Sequence, residues 1–343
     1  MESLLYYLIF AFWFVVSLLP LRVLYFFSDL LYFPLYYCIR YRRKVVRRNL
    51  VDSFPEKSLE EIVRIEKKFY SYFCDYLMET IKLFTISEKQ MRKRMRFEGV
   101  EDVKAAFEEG RSCCVYLGHY CNWEWITSLP LHFDKEEVVL GQIYHVLENK
   151  TFNDLFVRVR SRFQAVNIPM AETLRKIISY RREGKKMIIG FISDQTPFWN
   201  NIHYWTNFLN HDTPVLTGAE RIARQVDFVV YYADIVRVKR GYYVCRLKKV
   251  AHDPRRLEEF QLTELYFREL ERTIQKAPQY WLWTHNRWKR TREEFNRRYP
   301  FTFFIVSSIE LFAGTFKRSL VSFSSSNNNA YFFPSFIILS LSD

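Results

Sequence analysis

Residues 3–21 carry no charged side chain, and Leu, Phe, Tyr, Ile and Val fill most positions. At ~1.5 Å rise per residue this stretch makes about 28 Å of helix, close to the hydrocarbon thickness of a bilayer. The pattern predicts an N-terminal transmembrane helix. Arg22 interrupts it, and residues 23–39 resume the apolar character with Asp29 as their charge. Aromatic richness favours the membrane interface for this second stretch. Arg40, Arg42, Arg43, Lys44, Arg47 and Arg48 follow. An export signal places its charges before the apolar run and ends at small residues. Here the charges come after, which argues for a retained anchor with its basic side in the cytoplasm. The cluster would also attract anionic headgroups, by about 1 kcal/mol per basic residue.

Beyond residue 57 the period becomes helical. Ser58 and Glu61 have capping-box spacing, and Ile62, Ile65, Phe69, Phe73, Tyr76, Thr80 and Ile81 form one stripe. From about residue 95 short apolar runs alternate with amphipathic segments. Strands are expected at 112–117, 138–144, 186–193 and 227–234, with a hairpin over 235–250 turning at Arg240 and Gly241. Helices are expected at 149–163, 172–183, 213–225 and 256–275. This alternation predicts an α/β fold: a mixed, mostly parallel central sheet with flanking helices and a later antiparallel hairpin. The division reads as an anchor and basic segment (1–48), a folded domain (49–300) and an atypical tail (301–343). The tail holds a polar Ser/Asn tract between aromatic runs and is given no function.

Composition narrows the partners. With 51 Lys+Arg against 38 Asp+Glu the net charge is +13, which favours anionic surfaces. Charged residues at 26% exclude a polytopic membrane protein, and 9 glycines exclude a collagen-like chain. Nucleic-acid binding would explain the charge but not the anchor. The six cysteines form no CxxC pair. With no second histidine or cysteine at ligand spacing, neither a disulfide scaffold nor a metal site is expected.

The chemistry concentrates where the strand at 112–117 ends in Gly118 and His119, with Glu124 five positions on. A five-residue step on one helix turns about 140° and would separate the two side chains. They can meet only if His119 lies in a turn before the helix that bears Glu124. Glu124 would then fix the imidazole tautomer and leave the other nitrogen to take a proton. The spacing is weak by itself, since His132 and Glu137 share it within a polar loop. The strand end sets the first pair apart, because α/β sites are built there. Asp194 ends a second apolar strand, on the same sheet edge if the two run parallel, and Gln195 follows it. Arg158, Arg160 and Arg162, at i, i+2 and i+4, cannot share one helical face.

In this order the motifs resemble the lipid A biosynthesis acyltransferase family, within the wider His-x4-Asp/Glu acyltransferases. The resemblance covers about residues 1–295. It is carried by the apolar N-terminus and by Arg48, Asn49 and Leu50 with Ser53, Phe54 and Pro55. Gly118, His119 and Glu124, then Asn149 to Arg160, then Ser193, Asp194 and Gln195 continue it. Pro278, Gln279, Tyr280, Trp283, His285 and Arg287 close it. The chain departs from the pattern at Val159, often glycine, and at Thr196–Trp199, where the family's glycine is not obvious. The resemblance implies a membrane-anchored enzyme of the bacterial inner membrane, with its catalytic domain on the cytoplasmic side. It implies acyl transfer from an acyl carrier protein thioester to a hydroxyl of a lipid A precursor, without cofactor. His119 and Glu124 are the implied catalytic pair. Arg160, Asp194, Asn122 and Gln195 are the implied substrate contacts. Another membrane-lipid acceptor, or a non-catalytic basic membrane scaffold, remains open at this point.

Overall fold

Pro20 decides how the chain begins. A helix over Glu2–Leu18 (α1) ends just before it, because the residue ahead of a proline is pushed out of the helical region. The chain restarts as Leu21–Phe33 (α2), extended by a wider turn over Pro34–Cys38. The two segments meet at a bend of 116°. In this computed structural model, which describes residues 2–300 apart from positions 135 and 147 and side chains from residue 7 onward, the expected span over 3–21 is therefore replaced by a bent pair. No single helix among the described residues is long and apolar enough to cross a membrane, though the bent pair taken together meets that measure. The tail at 301–343 lies outside the described residues.

The basic cluster opens the next helix, Arg43–Ser53 (α3), and part of it turns inward. Arg47 Nε and Nη2 donate to Glu66 at 2.5 and 2.9 Å, and Arg42 Nη1 donates to Thr284 O at 2.9 Å. Helix Leu59–Lys82 (α4) begins at Ser58 with both capping-box hydrogen bonds in place. Its buried face follows the stripe read from sequence but also holds Glu66, Asp75 and Glu79.

Helix Glu88–Arg94 (α5) leads into strand Met95–Glu98 (β1), and Val100–Glu108 (α6) leads into Cys113–Leu117 (β2). A 3₁₀ segment over Trp123–His132 follows, then Val138–Tyr144 (β3), Lys150–Arg160 (α7) and Val166–Pro169 (β4). Thr173–Arg182 (α8) precedes Lys186–Ile192 (β5). Tyr204–Phe208 (β6) and His211–Val215 (β7) form a separate antiparallel pair. Gly218–Val226 (α9), Val229–Lys239 (β8), Tyr242–Ala251 (β9) and Gln261–Lys276 (α10) complete the unit. The chain divides into two units, Met1–Arg292 and Glu293–Asp343.

The main sheet has the order β1-β9-β8-β2-β5-β3-β4. All its pairings are parallel except the β8–β9 hairpin, whose turn falls at Arg240 and Gly241 as expected. Every residue of β2 is buried, and Cys113 and Cys114 serve as small core side chains. The helix expected at 213–225 is corrected: Thr213–Val215 is extended, and the helix starts at Gly218. Pro214 accounts for this, since it restricts the residue before it to extended conformations. Strands β1, β4 and β6, with helices α5 and α6, were not anticipated.

The acidic groups of α4 fasten α2 to the hairpin. Asp75 accepts from Ser28 Oγ (2.7 Å), Arg237 Nη2 (2.7 Å) and Arg240 Nε (3.0 Å). Glu79 accepts from Tyr25 OH (2.8 Å), Tyr243 OH (2.8 Å) and Asn122 Nδ2 (2.6 Å). Removing one partner of such a buried charged network costs about 3–5 kcal/mol, because the remaining charges stay desolvated. Asp75→Ala should therefore lower unfolding free energy by that amount in urea titrations, whereas Asp154→Ala, at an exposed pair with Lys150, should leave the urea midpoint nearly unchanged.

Candidate active site

Parallel pairing of β2 with β5 sets the geometry. Leu117 lies beside Ile192, so both chains leave the sheet at the same edge. Gly118 is needed there for space: a Cβ would come within 2.7 Å of Leu270 Cδ1 and 3.3 Å of Asp194 Oδ2. With that space free, Asp194 reaches across to the next residue. Its Oδ2 accepts from the His119 backbone N–H at 2.9 Å, and its Oδ1 meets His119 Nδ1 at 2.6 Å.

Asp194 is buried, which favours its neutral form. That is overcome by the nearby His119 charge and by hydrogen bonds from His119 and Trp281, and the pKa falls to about 2. An ionised carboxylate only accepts, so Nδ1 carries the proton toward Asp194. Nε2 then faces Gln195, whose amide nitrogen lies 3.3 Å away.

This corrects the expected pairing. The carboxylate on the imidazole is Asp194, not Glu124. Glu124 instead takes a bidentate grip from Arg160, at 2.8 Å to Nε and 2.6 Å to Nη2. Burial raises the Glu124 pKa, but the Arg160 charge, these hydrogen bonds and His119 nearby outweigh it and hold the carboxyl below its usual value. The physical reason is the local backbone. Cys121 adopts a left-handed φ of 50°, and the segment from Trp123 runs as a 3₁₀ helix, not an α-helix. Glu124 is thereby directed at the end of α7. Arg160 Nη1 is engaged by no hydrogen bond among the described residues.

Asn122 faces the core. It is fully buried, its Nδ2 donates to Glu79, and its Oδ1 accepts from the Trp125 N–H at 3.1 Å. It caps the 3₁₀ segment and joins it to α4. Asp194 and Gln195, expected as substrate contacts, stand on the imidazole itself.

The run at 278–288 forms the far wall. Tyr120 bridges Trp281, the Leu282 N–H donates to His119 O at 3.1 Å, and Trp281 Nε1 donates to Asp194 Oδ2 at 2.8 Å. Trp281 was not singled out from sequence; only its place in an aromatic run marked it. His285 Nε2 accepts from the Thr196 N–H at 3.3 Å. Burial and the Arg287 charge push its pKa to about 4, so it stays neutral. Arg287 is fully buried, with Nη2 on Pro214 O at 2.7 Å while Nε and Nη1 have no partner among the described residues. Burial lowers its pKa to about 10, with Asp194 opposing. No cluster able to hold a metal ion occurs among the described residues.

An imidazole with one nitrogen tied to a buried carboxylate and the other against an amide side chain, at the carboxyl edge of a parallel sheet, is an arrangement suited to proton transfer in an α/β enzyme. The chain belongs to the bacterial lipid A biosynthesis acyltransferase family, whose model matches residues 1–290. Membership implies an acyltransferase with a lipid acceptor. The family is typically membrane-associated. No curated protein matches the chain.

A depressed carboxyl pKa contributes stability that is present above the unfolded value of 3.8 and is lost as pH falls through the folded value of about 2. Asp194→Asn should therefore cost about 2 kcal/mol near neutral pH. The gap between the two proteins should be flat from pH 5 to 7 and close below pH 4 when unfolding is followed by circular dichroism.

Proposed function

We propose that the chain transfers a fatty acyl group from an acyl carrier protein thioester to a hydroxyl of a lipid A precursor, with His119 as general base and Asp194 as its orienting carboxylate. The observation that carries this reading is the 2.6 Å contact between His119 Nδ1 and Asp194 at the end of two parallel strands, in a chain of this family. An alcohol is a weak nucleophile near neutral pH, so its proton must leave as it attacks. His119 Nε2 takes that proton while the oxygen bonds to the thioester carbonyl carbon. The imidazolium formed is stabilised by Asp194. The C–S bond then breaks, and the departing sulfur receives the proton from Nε2.

The carbonyl oxygen becomes an oxyanion in between. Arg160 supports it in this scheme: Glu124 holds its Nε and Nη2 edge, which leaves Nη1 to point at substrate. A held guanidinium needs no reorganisation when charge develops. A cavity of about 280 Å³, with Phe10, Phe14, Phe84 and Val159 on its wall and Arg158 and Arg162 beside them, could take part of an acyl chain with its polar end at the arginines. The basic surface suits an acidic carrier and a phosphorylated acceptor. The bent apolar pair α1–α2 supports attachment to a membrane, which in this reading is the inner membrane, and the basic cluster that follows it favours the cytoplasmic side for the folded part.

The test is mass spectrometry of lipid A from a deletion strain complemented with variants. Wild type should restore one acyl chain. His119→Ala and Asp194→Asn should each cut transfer by about 10²–10⁴-fold while retaining folded protein. Arg160→Lys, which keeps charge but loses the fork, should cost at least about tenfold. An unchanged lipid A profile on deletion, or full activity in His119→Ala, overturns the reading.

A further inference from the structure

The elbow between α1 and α2 opens onto a cavity of about 510 Å³ that is separate from the His119 site. Arg22 at the start of α2, Lys82 at the end of α4 and Arg94 at the end of α5 line it, together with Thr85, Ser87 and Gln90. No Asp or Glu is part of the lining. Cations that share a cavity without a carboxylate repel one another unless an anion joins them.

The hydrogen bonding agrees. Lys82 Nζ donates to Ser17 O at 2.7 Å and Leu19 O at 3.0 Å and lies 3.4 Å from Thr85 Oγ1, which ties the cavity wall to the end of α1. It contributes charge and has no donor left over. Burial and the Arg94 charge together push its pKa down. Arg94 Nη1 donates to Gly241 O at 3.1 Å, but its Nε is buried without a partner. Arg22 is exposed and enters no ion pair among the described residues. The cavity thus has positive charge in its wall and unused donors.

Its position indicates which anion. α1 exposes Leu8, Phe12, Val15 and Leu18, and α2 exposes Phe26, Leu30 and Phe33. Both faces have an apolar environment as their natural cover. With α1 along a bilayer normal, a bend of 116° leaves α2 within 26° of the membrane plane (116° − 90°). The elbow then lies at the depth of the headgroups, where phosphates are concentrated.

We propose that the elbow cavity is a binding site for the phosphate group of an anionic lipid. The proposal rests on the membrane association of the family and not on the catalytic scheme, so its test uses binding alone. Purified full-length protein is floated with vesicles of phosphatidylcholine, or of phosphatidylcholine with added phosphatidylglycerol. The anionic lipid should raise the bound fraction. Arg22→Glu and Gln90→Glu should each reduce that gain at least about fivefold, with unchanged circular dichroism and unchanged binding to phosphatidylcholine. Arg256→Glu makes the same charge change as Arg22→Glu at an exposed site on the 3₁₀ turn Pro254–Arg256 before α10 and should leave most of the gain. Equal losses from Arg22→Glu and Arg256→Glu would mean that the overall +13 attracts the lipid, and the proposal falls. A melting-temperature rise with inorganic phosphate over chloride at equal ionic strength, absent in Gln90→Glu, would show that the site takes the free ion as well. A vesicle effect without that rise assigns it to lipid-borne phosphate. Absence of both effects overturns the site.

Discussion

One carboxylate, Asp194, holds the end of two strands and a wall together. It accepts the backbone N–H and the ring N–H of His119 and the indole N–H of Trp281. These donors come from the exit of β2 and from the run at 278–288, while the acceptor comes from the exit of β5. A buried charge with that many donors is stable as an anion, and its cost of desolvation is offset only while all of them stay in place. The orientation of His119, the spacing of Gly118 and the seating of the C-terminal run are therefore one condition, not three. The arrangement exists because β2 and β5 pair in parallel with Leu117 level with Ile192.

A second set of buried acids does comparable work at the other side of α4. Glu66, Asp75 and Glu79 lie on the helix face that a hydrophobic stripe would claim, and each draws donors from more than one other element. Glu66 collects Arg47 and Tyr36, Asp75 collects Ser28 with the hairpin arginines, and Glu79 collects Tyr25, Tyr243 and Asn122. α2 therefore docks by directed polar contacts on one side while its phenylalanines remain exposed on the other. The family relation and the helix elbow describe the same segment from two directions: an element fixed to the protein and open to an apolar medium.

The sheet was legible because its strands are continuous apolar runs bounded by helices of clear period. The range 138–144 and the Arg240–Gly241 turn agree with the structure to the residue. The capping box at Ser58 was legible for the same local reason. Short or edge elements were not: β1 and β4 have four residues each and carry too few positions for a period. The strand containing Thr213 and Pro214 looked like the start of the following helix. The site was legible as a set of residues and not as a set of pairs. His119, Glu124, Arg160, Asp194 and Gln195 do gather, but spacing along the chain joined His119 to Glu124, whereas sheet register joins it to Asp194. A left-handed residue at Cys121 cannot be read from a cysteine. Asn122 shows the same limit, since a polar side chain next to the site serves the core behind it.

The Gln195 amide adds a property to the resting molecule. With its nitrogen 3.3 Å from His119 Nε2, the ring atom proposed to take a proton is already met by a side chain of the same protein. A stray water has to displace that amide before it can be activated, and it brings few contacts to do so. A lipid hydroxyl arrives with a large bound body behind it. In the proposed reaction, such a cap would bias the site against hydrolysis of the acyl donor.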